Sequence, residues 1–160
     1  MTEAVIVATA RSPIGRANKG SLISMRPDDM SAQIVKALMA KVPQIQPNMV
    51  DDVMWGIGQP AGEGGFNIAR VVALMAGLDE VPGVQVNRYC SSSLQTIRMA
   101  FHAIKAGEGD CFVAGGVETV SRYAAGASDT APNPIFKASG ARTKLRAGGG
   151  QGKWAPDPEL

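Results

Sequence analysis

The sequence predicts an α/β fold: a mostly parallel sheet with helices on both faces, in three α/β/α layers. Short apolar runs alternate with segments of helical period in the order β-α-β-α-β-α-β, which calls for crossover connections between parallel strands. The strand-like runs read as largely continuous apolar stretches, as expected of strands covered on both faces. With 160 residues, 45% of them apolar and 19% charged, the chain has the composition of an ordinary globular domain with a substantial core.

Each element has its own signal. EAVIVAT (residues 3–9) is short, β-branched and apolar, and reads as the first strand. Residues 28–41 place Met30, Ile34, Ala37, Leu38 and Lys41 at helical spacing, with Asp28 and Asp29 suited to the first turn and Pro43 and Pro47 beyond the end. VMWGI (residues 53–57) reads as a second strand, residues 67–76 as a second helix closed by Gly77, and VQVN (residues 84–87) as a third strand. A helix after Cys90, closed by Gly107 and Gly109, leads to a fourth strand, CFVAGGV (residues 111–117).

The character changes from Arg122 onward. The last 39 residues hold six glycines and four prolines without an apolar period, and carry +3 against −1 for the rest. The chain is therefore expected to divide into a packed domain over 1–121 and a Gly/Pro-rich segment over 122–160, an ordered loop, a lid or a flexible end. Arg142, Lys144, Arg146 and Lys153 suit phosphates, but read first as a solvated basic loop.

Several function classes lack support. A net charge of +2, with no basic cluster interleaved with aromatics, gives no nucleic-acid surface. No apolar run reaches the roughly 18 residues of a membrane span, and the N-terminus lacks the basic start of an export signal. Two cysteines make neither a disulfide framework nor a four-ligand metal site, so the expectation is a cytoplasmic protein with no metal. The turn after the first strand, ARSPIGRANKG, lacks G-x-G-x-x-G, and no phosphate-loop pattern occurs.

Chemistry concentrates at Cys90. It lies between an apolar run and three serines that open a helix, where unpaired N–H groups present partial positive charge. Such a position favours a thiolate and offers donors to a carbonyl oxygen under attack. Buried packing is the competing reading of Cys90, and the expected fate of Cys111, which opens an apolar strand. On the helix, Leu94, Ile97, Phe101 and Ile104 form an apolar stripe and Gln95, Arg98, His102 and Lys105 a polar one. His102 is the only histidine. Twelve helical residues put it about 18 Å from Cys90, too far to act as its base.

The segment Asn87-Arg88-Tyr89-Cys90-Ser91-Ser92-Ser93-Leu94-Gln95 resembles the nucleophile motif of thiolases, which cleave or form 3-ketoacyl-CoA. Arg11-Ser12-Pro13-Ile14-Gly15, Asn67-Ile68-Ala69-Arg70 and Gly115-Gly116-Val117-Glu118 with Ser121 resemble three further thiolase motifs in the right order. The likeness is dense over 2–122 and looser beyond, where the family's loop domain begins. Ser93 stands where the family usually has glycine, which bears on acyl chain length; Thr96 and Val120 replace a common alanine and methionine. The family's G-H-P, C-x-G-G and N-E-A-F motifs, which its second half supplies, do not occur in this sequence.

The resemblance implies a three-layer N-terminal thiolase half plus the start of a loop domain, an acyltransferase when whole and inactive alone. Cys90 would be the catalytic nucleophile that carries the acyl thioester, its backbone N–H one oxyanion donor. Asn87, Arg88, Ser92 and Ser93 would shape the turn, and Glu118 would be a buried structural acceptor. Coenzyme A would be a substrate, with no permanently bound cofactor. Acyl-CoA and CoA would be the small-molecule partners, in lipid metabolism such as fatty acid β-oxidation. The unfilled face would favour association as a homodimer or homotetramer. A ketoacyl synthase-like condensing enzyme fragment, or a non-catalytic interaction or truncated domain, are the alternatives.

Overall fold

The computed structural model describes residues 3–124. Three parallel strands, β1 (Asp52–Gly56), β2 (Gly83–Val86) and β3 (Phe112–Gly116), form a sheet in the order β2-β1-β3. Val53 pairs with Gly83 on one side and Val113 on the other. The helices are α1 (Pro27–Lys41), α2 (Ile68–Ala76), α3 (Ser92–Ala106) and the short α4 (Val120–Ala124). The expected helices and the last three expected strands stand within a residue or two of these bounds. Gly77 and Gly107 end α2 and α3 in the left-handed conformation.

Alternation along β1 assigns the layers. Val53 and Trp55 face one way, into a core with Val35 of α1 and Ile68, Ala69 and Val72 of α2. Met54 faces the other way, against Ala100 and Ala103 of α3. The result is the α/β/α sandwich that the sequence predicts. Ile68, Val72 and Val53 are fully buried, each worth about 1.5–3 kcal/mol. Trp55 crosses the first layer, its Nε1 donating to Ser31 Oγ at 3.0 Å, and Ser31 Oγ donates to Pro27 O at 2.6 Å.

One expectation about the strands is corrected. Residues 3–9 form no strand: Val5, Ile6 and Val7 are 66–75% exposed, and none of the described strands pairs with them. An apolar run can extend, but becomes a strand only where a neighbour accepts its ladder bonds. Most of the apolar stripe of α3 lies outside the core. Leu94, Ile97 and Phe101 are exposed, and the helix buries Ser92, Thr96, Ala100 and Ala103 instead. Its buried face is small because α3 lies very close to the sheet. A Cβ on Gly56 would meet the backbone of Ser92 and Ser93 at 2.6 and 2.7 Å. Thr96 Oγ1, fully buried, lies 2.7 Å from Ser93 O and 3.1 Å from Gly115 O, and so ties α3 to β3.

At the other end of β1, Asp52 Oδ1 is buried with no hydrogen-bond partner. Burial raises its pKa, and a hydrogen bond from the Val53 N–H only partly opposes this. A raised carboxyl pKa means that the ionised form costs stability at neutral pH, a cost that fades as pH falls through the folded pKa toward the unfolded value. Asp52→Asn is expected to raise Tm at pH 7 by a few degrees at most, with the gain vanishing in melts below the ordinary carboxylate pKa. An equal gain at both ends of that range would contradict this account.

Candidate active site

Cys90 is exposed and lies two residues before α3, in a turn built by its neighbours. Tyr89 takes a positive φ of 48°, unusual for a residue with a side chain. Asn87 Oδ1 accepts from the Tyr89 N–H at 2.9 Å. Ser92 Oγ, buried, accepts from the Arg88 N–H at 2.8 Å and donates to Tyr89 O at 2.6 Å. Arg88 Nη1 donates to Gln95 Oε1 at 2.6 Å. Asn87, Arg88 and Ser92 thus hold the turn. The backbone strain at Tyr89 is offset by these four local bonds.

The turn opens on a cleft of about 490 Å³ at the carboxyl ends of β1 and β3, where open α/β sheets bind ligands. Cys90, Ser93, Gly58 and Glu118 line it, together with Val120 and Tyr123 of α4. Glu118 is exposed, not buried as expected, because it lies just past the end of β3. Its Oε2 accepts from the Gly58 N–H at 2.8 Å, bridging the loops that follow β1 and β3. Partial burial, then the negative charges of Glu118 and of a Cys90 thiolate, push the Tyr123 phenol above its ordinary pKa, so it stays a neutral O–H. Tyr123 was not singled out from sequence.

Other residues separate from the cleft. Burial and the charge of Asp51 push the Cys111 thiol up, and Cys111 packs against the core, as expected of an inert cysteine. His102 is exposed on an unbroken α3, its ring edge-on to Phe101 at 5.3 Å. Asn67 and Arg70 brace the approach to β2: Asn67 Nδ2 donates to Gly83 O at 2.7 Å, and Arg70 reaches Val81 O and Asp79 O. Ser121 Oγ accepts from the Asn18 N–H at 2.9 Å. Arg142, Lys144, Arg146 and Lys153, with nearly all of the 122–160 segment, lie outside the described residues. Among the described residues no group of three or more His, Cys, Asp or Glu gathers as a metal site, and no helix is long and apolar enough to cross a membrane.

A cluster that sequence reasoning missed lies behind α4. The Glu63 side chain is fully buried and meets two arginines. Arg26 Nη1 lies 2.9 Å from Glu63 Oε2, and Arg122 bonds to Glu63 through Nε and Nη2. Arg26 also grips Asp28, itself 2% exposed, through Nε and Nη2 at 3.0 and 2.9 Å. Burial alone would lower the Arg26 pKa, but Asp28 first, then Glu63 and Asp29, outweigh it and raise it. The one sequence signal was Glu63 itself, the only charge among the glycines of AGEGGF.

A parallel α/β sandwich with an exposed cysteine in a strained turn, at the strand ends and before a helix, defines a class of proteins suited to covalent acyl chemistry. The model of the "Thiolase, N-terminal domain" family matches residues 4–146, and the chain belongs to the thiolase family. It is 48% identical over 119 residues to a 3-ketoacyl-CoA thiolase of Shewanella loihica, covering 74% of this chain and 31% of the relative. A 3-ketoacyl-CoA thiolase of Shewanella frigidimarina is 46% identical over the same shares. The crystal structure of the Bacillus anthracis acetyl-CoA acetyltransferase superposes with a TM-score of 0.68 at 36% identity, covering 76% of this chain and 30% of that one. The chain thus corresponds to the N-terminal part of a thiolase and spans about a third of the length of these relatives.

Proposed function

We propose that this chain supplies the acyl-accepting half of a thiolase, with Cys90 as the nucleophile. The observation that carries the reading is an exposed Cys90 held by Asn87, Arg88 and Ser92 at the mouth of the cleft, in a chain of this family. In the cleavage direction the Cys90 thiolate attacks the keto carbon of a 3-ketoacyl-CoA. The bond between the α and β carbons breaks, and acetyl-CoA leaves after its enolate takes a proton. The acyl group stays on sulfur as a thioester until the thiolate of a second CoA attacks it, releasing acyl-CoA and regenerating the Cys90 thiolate. Claisen condensation is the reverse. The Cys90 N–H is assigned to one side of the oxyanion.

Proton transfer to the enolate and from CoA is left to a second half bearing the G-H-P and C-x-G-G motifs. The exposed Leu94, Ile97 and Phe101 stripe of α3 supports docking of such a half, since a large apolar patch seeks cover. Homodimers or homotetramers, a cytoplasmic setting, a role in fatty acid β-oxidation and CoA as the only cofactor-like molecule belong to the same reading. A role for Ser93 in chain-length preference is supported by its position in the cleft lining beside Gly116.

The test is to co-express the chain with a thiolase second half and incubate the complex with acetyl-CoA. An acetyl adduct on the Cys90 peptide and thiolytic turnover are expected, both absent in Cys90→Ser although the halves still co-elute. Loading from carrier-protein thioesters in place of CoA thioesters would favour a ketoacyl synthase-like enzyme. No adduct from either, with iodoacetamide labelling Cys90 no faster than a peptide thiol, would leave a non-catalytic domain.

A further inference from the structure

The wall that α4 lends to the cleft has no means of holding itself. Five residues make little more than one turn, and helices shorter than about 12 residues are marginal in water. Something else must fix Val120 and Tyr123 beside Cys90. These two positions, three apart, share one helix face, and Arg122 points elsewhere. Both Glu63 oxygens and the Ser24 carbonyl accept from Arg122. Glu63 comes from the loop after β1 and Ser24 from the segment before α1, so Arg122 joins α4 to two separate parts of the fold.

The charges also fit a fixed device. Glu63 and Asp28 balance Arg26 and Arg122, so the buried carboxylate has its compensation in place. The Arg122 fork on Glu63 is two-pronged, which fixes orientation as well as distance. The geometry points to Glu63 and Arg122 as positioning residues: their buried ion pair sets the Val120 and Tyr123 wall of the cleft and so decides what bulk reaches Cys90. This deepens the acyl-transfer reading and rests on it only for the identity of the group that arrives.

The experiment measures alkylation of Cys90 and Cys111 by peptide mass, with iodoacetamide as the small reagent and N-phenylmaleimide as the bulky one. The 160-residue chain is compared with Arg122→Ala, Arg122→Lys and Glu63→Gln, each with a thermal melt. Releasing the wall is expected to raise the bulky-to-small rate ratio at Cys90 by about tenfold in Arg122→Ala, the scale of modest changes in pocket shape. Arg122→Lys restores part of it, since a point charge replaces the fork. Cys111 keeps its ratio throughout. Should Glu63→Gln fail to fold, Arg122→Ala decides, because there Glu63 keeps Arg26. An unchanged Cys90 ratio, or a Cys111 ratio that moves in step with it through general loosening or unfolding, overturns the proposal. Failure of acetyl-CoA to load Cys90 leaves the reagent ratios untouched and counts against acyl transfer alone.

Discussion

Gly56→Ala is expected to lower both stability and the reactivity of Cys90. The added methyl meets the backbone carbonyl carbon of Ser92 at 2.6 Å and the backbone nitrogen of Ser93 at 2.7 Å, so no side-chain rotation relieves it. Overpacking of this kind costs about 1–3 kcal/mol. The first turn of α3 must lift from the sheet and carry the Cys90 turn with it. A misplacement of about 1 Å in a reacting group can cost about 100-fold in rate. Gly77→Ala is the control: it strains a left-handed residue with φ of 90° but meets nothing within 4 Å. It should cost stability without altering Cys90. A Gly56→Ala protein that melts and reacts as the parent would show that α3 is not seated on β1 at this point.

Trp55→Ala is expected to have the largest effect on the fold, about 3–5 kcal/mol. The indole is 3% exposed, packs in the main core and bonds to Ser31, so its loss leaves a cavity between β1 and α1. Against a typical total of about 5–15 kcal/mol, that is a large fraction. Trp55→Phe separates the two contributions: it keeps most of the packing but loses the bond to Ser31, worth about 1 kcal/mol. Urea melts followed by circular dichroism rank the three proteins. Trp55→Ala falling within error of Trp55→Phe would place the weight on the hydrogen bond and not on the core.

Local rules explain what could be read from the chain. The strands around Val53 and Val113 are apolar because both sheet faces are covered, and the glycines at 77 and 107 stop helices by their own conformation. The turn at Cys90 was legible because Asn87 and Ser92 act on neighbours two to four residues away. Most of the rest needed knowledge of distant partners. Val5, Ile6 and Val7 report a wish to be covered but not by what. The stripe of Leu94, Ile97 and Phe101 carried the strongest apolar period of α3, yet the sheet took the face with Thr96 and Ala100, since only small side chains fit so close. The bonds from Arg122 to Glu63 and Ser24 span 59 and 98 residues, and a five-residue helix leaves too little periodicity to notice.

The strand order has a consequence for biogenesis. The central strand is the first of the three to be made, with its partners thirty and sixty residues downstream. On a ribosome, β1 can join β2 with α2 as the crossover as soon as Val86 has emerged, while its opposite edge stays bare. Until Gly116 is out, that edge is open to strands of other nascent chains, and the arrival of β3 is what covers it.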